Sequence, residues 1–523
     1  MSQQKPQQDQ VEKLPDPKGP LHSLDPEEAG EIGGYILNDT SLAHEHGLKT
    51  TADGNTILIP QPSDSPNDPL NWTRVRKHVI LIIISCTSLL PDYGSATGAV
   101  TLTAQGEEWN MDPNVVNHSQ VGNVFMLGAA GPIIVAASAY FGRYPILFWW
   151  TLLAVGTAIW CAAARSFESF MAARILNGFF STVAQSGGLM FIKDMFFLHE
   201  HARKINIWSG FIVLSPYLGP LLAAFIVNTQ IWQWAFGVYA IETGLCLFAI
   251  IFFVDETYYD RKTAQPELIT TGPRWQRMLG IQQMRTGYIK NSVKDAIMRP
   301  AVMICKPVVF IASIYYMLTF AWVVGINTTL SILLGPIYGF ESKQLGTYPR
   351  FYYFTPIVAT ILGEIVGHWL HDIIAKTYAK RHEGRFEPEA RLYAIWFAMP
   401  FMVAGLILMG FALERQYHYM LAALGWGLYV FGIMIVTVAI NSYVLDSYPE
   451  ASGEVAAWVN FGRTLGGFIV SYFMVEWAEN QGTIRQMGTM CGILGGSFFI
   501  VLGLQVWGKK LRVWAGPAKF KTA

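Results

Sequence analysis

Twelve apolar stretches, each near the ~20 residues a helix needs to cross a hydrocarbon layer, follow one another from residue 79 to residue 507. They run over residues 79–104, 119–140, 144–164, 167–190, 205–227, 232–254, 302–324, 348–374, 392–411, 420–442, 453–477 and 487–507. In lipid every backbone amide must find its partner within its own segment, so these stretches predict an all-α polytopic membrane protein. Only 14% of the residues are charged, against about a quarter in soluble domains. The 37 basic and 37 acidic residues cancel, which leaves no basic surface for nucleic acid. The lipid bilayer is the first expected partner, and the chain is expected to act as a monomer.

Polar segments divide the chain. Residues 1–73, rich in Pro, Gln, Asp and Gly, read as a disordered cytoplasmic tail that ends in the linker Pro60–Pro66. No basic start precedes an apolar core there, so no cleaved signal peptide is expected. Residues 74–254 hold six spans, 255–301 form a central cytoplasmic loop, 302–507 hold six more, and 508–523 form a second cytoplasmic tail. Six spans on either side of one long loop suggest two related halves. Twenty-five Lys and Arg fall in the segments on one face and five in those on the other, which places both termini and the central loop in the cytoplasm. Of four Asn-x-Ser/Thr matches, Asn117 in the loop Glu107–His118 is the candidate for glycosylation.

Charges inside the spans point to function, because each is costly there unless it has a partner. In span one, Asp92 follows Pro91 and precedes Gly94 and Gly98, a composition that predicts an interrupted helix at a binding region. In span four, Arg174 shares a helical stripe with Asn177, Gly178, Ser181 and Gln185. A pair between Asp92 and Arg174 would act as a proton-controlled latch, because protonating the carboxyl breaks it; a permanent structural pair is the alternative. Glu364 in span eight is the second-half candidate for a proton or a cationic group, and Arg463 beside Asn460 in span eleven would face an anion or Glu364. Tyr217, Tyr316 and Trp322 are candidates to shape a pocket.

Cofactors and metals are not expected. The five cysteines lie in apolar runs without paired spacing, and His368, His371 and Asp372 sit at a cytoplasmic helix end as hydrated groups. P-loop, Gly-x-Ser-x-Gly and His-Glu-x-x-His motifs are lacking, which argues against an ATP-driven pump or a hydrolase. The chain is therefore not expected to be an enzyme, and an ion gradient is the remaining energy source.

Ordered motifs carry a resemblance. They are Asp68-Pro-Leu-Asn-Trp72 with Arg76-Lys77, Arg174-x-x-x-Gly178, Asp194-Met-Phe-Phe197 with Arg203, Leu218-Gly219-Pro220, Glu256-Thr-Tyr258 and Pro388-Glu-Ala-Arg-Leu392. In this order they resemble the major facilitator superfamily, specifically its fungal twelve-span drug:proton antiporter-like group, which includes polyamine and secondary-metabolite exporters. The resemblance implies two six-helix bundles around a central cavity, a proton-coupling role for Arg174, and an antiporter kink at Gly219-Pro220. Two departures stand out. Val135, Ala139 and Tyr140 replace the Gly, Asp and basic residue of the family's loop after span two, and Ser215, Ala223 and Ala224 replace glycines in span five.

The leading expectation is a proton-coupled exporter of small organic molecules in a fungal plasma membrane. Asp92, Arg174 and Glu364 are its expected coupling residues, and Asn177, Gln185, Tyr217, Tyr316, Trp322, Asn460 and Arg463 its expected substrate contacts. Gly178, Asp194, Gly219 and Pro220 are the structural motif residues. A proton-driven importer of polyamine-like cations and a non-transporting receptor on the same scaffold are the alternatives.

Overall fold

The computed structural model describes residues 35–36, 49–51, 57–259, 272–287, 289, 291–338, 348–382, 385–518 and 520. The first six spans are Arg74–Trp109, Pro113–Phe141, Arg143–Ala163, Phe167–Ser181 continued by Val183–Met195, Leu198–Val227 and Gln233–Phe253. Spans seven to twelve are Pro307–Tyr338, Tyr348–Arg381, Tyr393–Glu414, Tyr419–Ser447, Ser452–Gln481 and Thr483–Ala515. Among the described residues, eleven helices are long and apolar enough to cross a membrane. The twelfth, span eleven, is 30 residues long and carries Glu454, Arg463, Glu476 and Glu479.

Packing repeats between the halves. Span one packs on five as seven does on eleven, span two on four as eight does on ten, and span three on six as nine does on twelve. The result is two six-helix bundles, and the same correspondence holds across their interface, where span two packs on eleven and span five on eight. Aromatic contact holds the first of these seams, with Phe125 and Phe468 ring centroids 5.0 Å apart.

Three expectations change. Span one stays helical through Pro91 and span five through Pro216 and Pro220; the Pro216 carbonyl, which Pro220 cannot supply with an N–H, accepts Asn327 Nδ2 of span seven at 2.9 Å instead. The break falls instead in span four, at Thr182. The tail expected as disordered is partly docked: Ile57 and Ile59 are buried with Leu198, Phe386 and Ala390, and Tyr35–Ile36 pairs antiparallel with Arg385–Phe386. The central loop contains helices Arg274–Leu279, Ile281–Thr286 and Val293–Ile304, the last started by a capping box between Ser292 and Asp295.

Candidate functional site

Asp92 sits midway along span one, where it meets span eleven of the other bundle rather than Arg174. Arg463 Nη1 donates to Asp92 Oδ2 at 2.6 Å, and Gln185 Nε2 of span four donates to the same oxygen at 2.7 Å. The remaining guanidinium hydrogens reach Gln185 Oε1 at 3.0 Å and Asn460 Oδ1 at 2.9 Å. Asn460 Nδ2 closes the network on the Leu127 carbonyl and the hydroxyls of Thr182 and Ser186. A planar guanidinium can serve several acceptors at once in a fixed fork, and here it links spans one and four to span eleven. Its carbon lies 4.8 Å from the centre of the Phe320 ring, a cation–π distance.

Ser95, Gln120, Pro216 and Asn327 line the cavity beside this pair. The space left is about 20 Å³, room for about one water molecule. Ser95 Oγ, Gln120 Oε1 and Asn327 Oδ1 are buried there without a partner. These are the polar atoms a bound solute could satisfy. Sequence reasoning named none of the three for binding; Asn327 had only a glycosylation match, and it lies buried with its amide donating to the Pro216 carbonyl at 2.9 Å.

Arg174 supports the site from one side. It is 1% exposed, donates to the Gly94 and Ser95 carbonyls at 2.5 and 2.9 Å, and faces no carboxylate among the described residues. The expected Asp92–Arg174 pair is therefore replaced by two contacts: Arg174 grips the backbone just beyond Asp92, and Arg463 takes the carboxylate. Arg463 thus faces Asp92 and not Glu364. Gly219 lets span five approach the same segment, since a Cβ there would lie 2.4 Å from the Tyr93 carbonyl. Gly178 does likewise against the Asn123 carbonyl at 2.6 Å.

The other expected contacts divide. Tyr217 is fully buried against the Trp426 ring at 5.3 Å, its hydroxyl without a partner. Tyr316 donates or accepts with Thr437 at 3.0 Å and lies tilted against Phe320, ring centroids 5.4 Å apart, next to the central pair. Asn177 lies outside the cavity: its amide reaches Ala154 and Thr157 and it accepts from Tyr239, all within the first bundle. Trp322 packs on Trp477, and Glu364 lies at the seam of spans five and eight. Asn117 falls inside helix Pro113–Phe141 rather than in a loop, with the Ser119 hydroxyl turned back to the Val116 carbonyl, a geometry that opposes its use as an acceptor.

A charged layer closes the end of the molecule that carries the central helices. Asp194 pairs with Arg143 at the start of span three, and Asp446 pairs with Arg391 before span nine at 2.9 Å, the same arrangement in each half. Glu256 accepts from the backbone amides of Arg143, Tyr144 and Tyr258. Burial pushes its carboxyl above the ordinary range despite those donors and the Arg143 guanidinium. Arg299, from Val293–Ile304, joins Glu454 of span eleven at 2.5 Å and the Glu450 carbonyl. At neutral Ala139 the main-chain carbonyl accepts Asn291 Nδ2 at 2.9 Å, and Ala139, Arg143, Asn291 and Arg299 line a cavity of about 20 Å³.

Residues 81–471 match the family model described as the Major Facilitator Superfamily. An uncharacterized MFS-type transporter of Schizosaccharomyces pombe is 23% identical, over 92% of this chain and 93% of that one. The efflux pump radE of Floropilus chiversii is 24% identical, over 88% and 85%. The solved structure of the proton:xylose symporter XylE superposes with a TM-score of 0.60 at 16% identity, over 85% of this chain and 100% of that one, a likeness of fold.

Proposed function

The chain belongs to the Major Facilitator Superfamily, and from that premise we propose that it is a proton-coupled exporter of small organic molecules, such as secondary metabolites or drugs. It would work as a monomer in the plasma membrane with both termini in the cytoplasm. Export is favoured by the efflux-pump relatives. The coupling rests on one observation, the buried Asp92–Arg463 pair that joins the two bundles at mid-helix.

Protonating Asp92 removes one charge of that pair and leaves Arg463 free to follow span eleven. Separation of the bundles then opens the cavity, where Ser95, Gln120 and Asn327 offer hydrogen bonds and Tyr217 and Tyr316 offer apolar faces. Arg174 would act as a positioning residue, since it holds the backbone that carries Asp92. Because the single carboxylate of the cavity is already held by a fixed cation, the site favours neutral or weakly charged solutes over polyamine-like cations. The Arg299–Glu454 pair, which ties the segment packed on span two to span eleven, is a contact that must part for the cavity to face the cytoplasm.

Reconstituted vesicles test this reading with rhodamine 6G and cycloheximide as probes. An imposed pH gradient should drive accumulation of at least one probe in the wild type, abolished by an uncoupler. Asp92→Asn should lose gradient-driven accumulation but retain exchange of probe for probe. Accumulation in Asp92→Asn that still follows the pH gradient would sink the proposal.

A further inference from the structure

We propose that the seam between spans five and eight carries a proton path from the cytoplasmic surface to Glu364, with His371 as its relay. The inference rests on the proton-coupled reading above and concerns a cluster separate from the Asp92–Arg463 network.

Three polar side chains meet at this seam with unused hydrogen-bonding atoms. Asn206 of span five donates to the Glu364 main-chain carbonyl at 2.9 Å, which leaves its Oδ1 buried and unpartnered. Among the described residues, Glu364 Oε2 is likewise buried without a partner, and His371, 2% exposed, has none at either ring nitrogen. Orphaned buried polar atoms are costly, so four in one seam call for a use.

Two glycines let spans five and eight close in on these groups. A Cβ on Gly210 would lie 2.8 Å from Glu364 Oε2; one on Gly367 would lie 2.8 Å from Asn206 Oδ1 and 3.9 Å from His371 Cδ2. Any larger residue at either position would press on the carboxyl or on the amide and disturb how they meet. Glu364 and His371 are two turns apart, about 10 Å along the helix, a length that roughly three hydrogen-bonded water molecules cover.

The charged groups around the track are accounted for. Arg203 pairs with Asp372 at its cytoplasmic mouth, Arg391 pairs with Asp446, and His201 Nδ1 lies 3.8 Å from Asp446. A proton arriving at one ring nitrogen of His371 displaces the proton on the other, so the ring returns to neutral as the opposite tautomer. The released proton joins the Glu364 carboxylate and makes it a neutral carboxylic acid, with no other bond formed or broken. Because this carboxyl lies between the bundles, its charge bears on the contact that must slide during transport.

Infrared difference spectroscopy on the full-length protein in vesicles tests the path without a substrate. A carboxylic-acid C=O band that disappears in Glu364→Gln is expected, and its exchange from H2O to D2O should slow at least tenfold in His371→Gln. Gly367→Ala keeps every titratable group but presses a methyl on Asn206 Oδ1, and should slow exchange likewise, which guards against misfolding of the histidine variant. A band unaffected by Glu364→Gln, or exchange at the wild-type rate in both other variants, overturns the proposal. If the band behaves as expected but no pH gradient drives transport, the coupled-exporter reading fails and the path stands; gradient-driven transport without the band does the reverse.

Discussion

Removing the charge of Asp92 perturbs the contact between the bundles with little change in shape. Asp92→Asn leaves Arg463 Nη1 facing an amide at the position now held by a carboxylate oxygen 2.6 Å away. Charge centres about 4 Å apart attract by about 4 kcal/mol at an effective dielectric near 20. Stripping one partner from a buried pair costs about 3–5 kcal/mol, because the other charge stays buried. Arg463 still reaches Gln185 Oε1 and Asn460 Oδ1, so the loss in Asp92→Asn should fall at the low end, about 3 kcal/mol. In Arg463→Gln the carboxylate keeps the single donor Gln185 Nε2, and the loss should approach about 5 kcal/mol. The double variant buries no charge here and should be more stable than Arg463→Gln, so the coupling energy should exceed about 3 kcal/mol, the top of the range for residues in contact. Equilibrium unfolding in mixed micelles of the wild type and the three variants measures each term. Additive losses in the double variant would refute an energetic link between the two residues.

Other expectations follow from the charged layer and the helix ends. Arg299→Ala removes the link from Val293–Ile304 to Glu454; labelling of Ala139→Cys by an impermeant maleimide in inside-out vesicles should rise several-fold, and unchanged labelling would show that this link does not hold the layer shut. Desolvation raises the Glu387 pKa, but donors from Lys509 and Tyr378 outweigh it and hold the carboxyl below its ordinary 4.5. Its contribution is therefore complete above pH 4.5 and lost as pH falls through the depressed value, so Glu387→Gln should cost roughly 0.5–1 kcal/mol at pH 7 and nothing in strong acid, read by unfolding across pH. Glycosidase treatment should leave the mass of the wild type unchanged; a shift that Asn117→Gln abolishes would mean that the acceptor is used before the helix closes.

The spans were legible because lipid leaves an apolar helix few alternatives, and even the tandem halves showed in the spacing of the polar loops. Local breaks were not. Pro91 and Pro220 looked like interruptions, but whether a freed carbonyl is costly depends on what the next helix offers, as Asn327 does for the Pro216 carbonyl that Pro220 frees. Periodicity correctly marked Arg174, Asn177 and Gln185 as turned inward, yet could not say which interior each faces: the break at Thr182 separates Asn177, spent on Thr157 and Tyr239, from Gln185 at the centre. The partner of Asp92 was out of reach for the same reason, since nothing local ties span one to span eleven. Around the neutral Ala139, the compensating charges come from Glu256 and Arg299, far from the loop where the family pattern places them.

The separation between Asp92 and Arg463 also sets a problem of timing during synthesis. The two residues are 371 positions apart, and at about 5–20 residues per second the ribosome needs roughly 20 to 75 s to pass from one to the other. Through that interval span one must reside in the bilayer without its counter-charge. A carboxyl can wait by holding a proton, whereas an arginine cannot shed one. Order of emergence therefore matters: the group that can be neutral leaves the ribosome first, and the permanent cation is inserted when its partner is already in place.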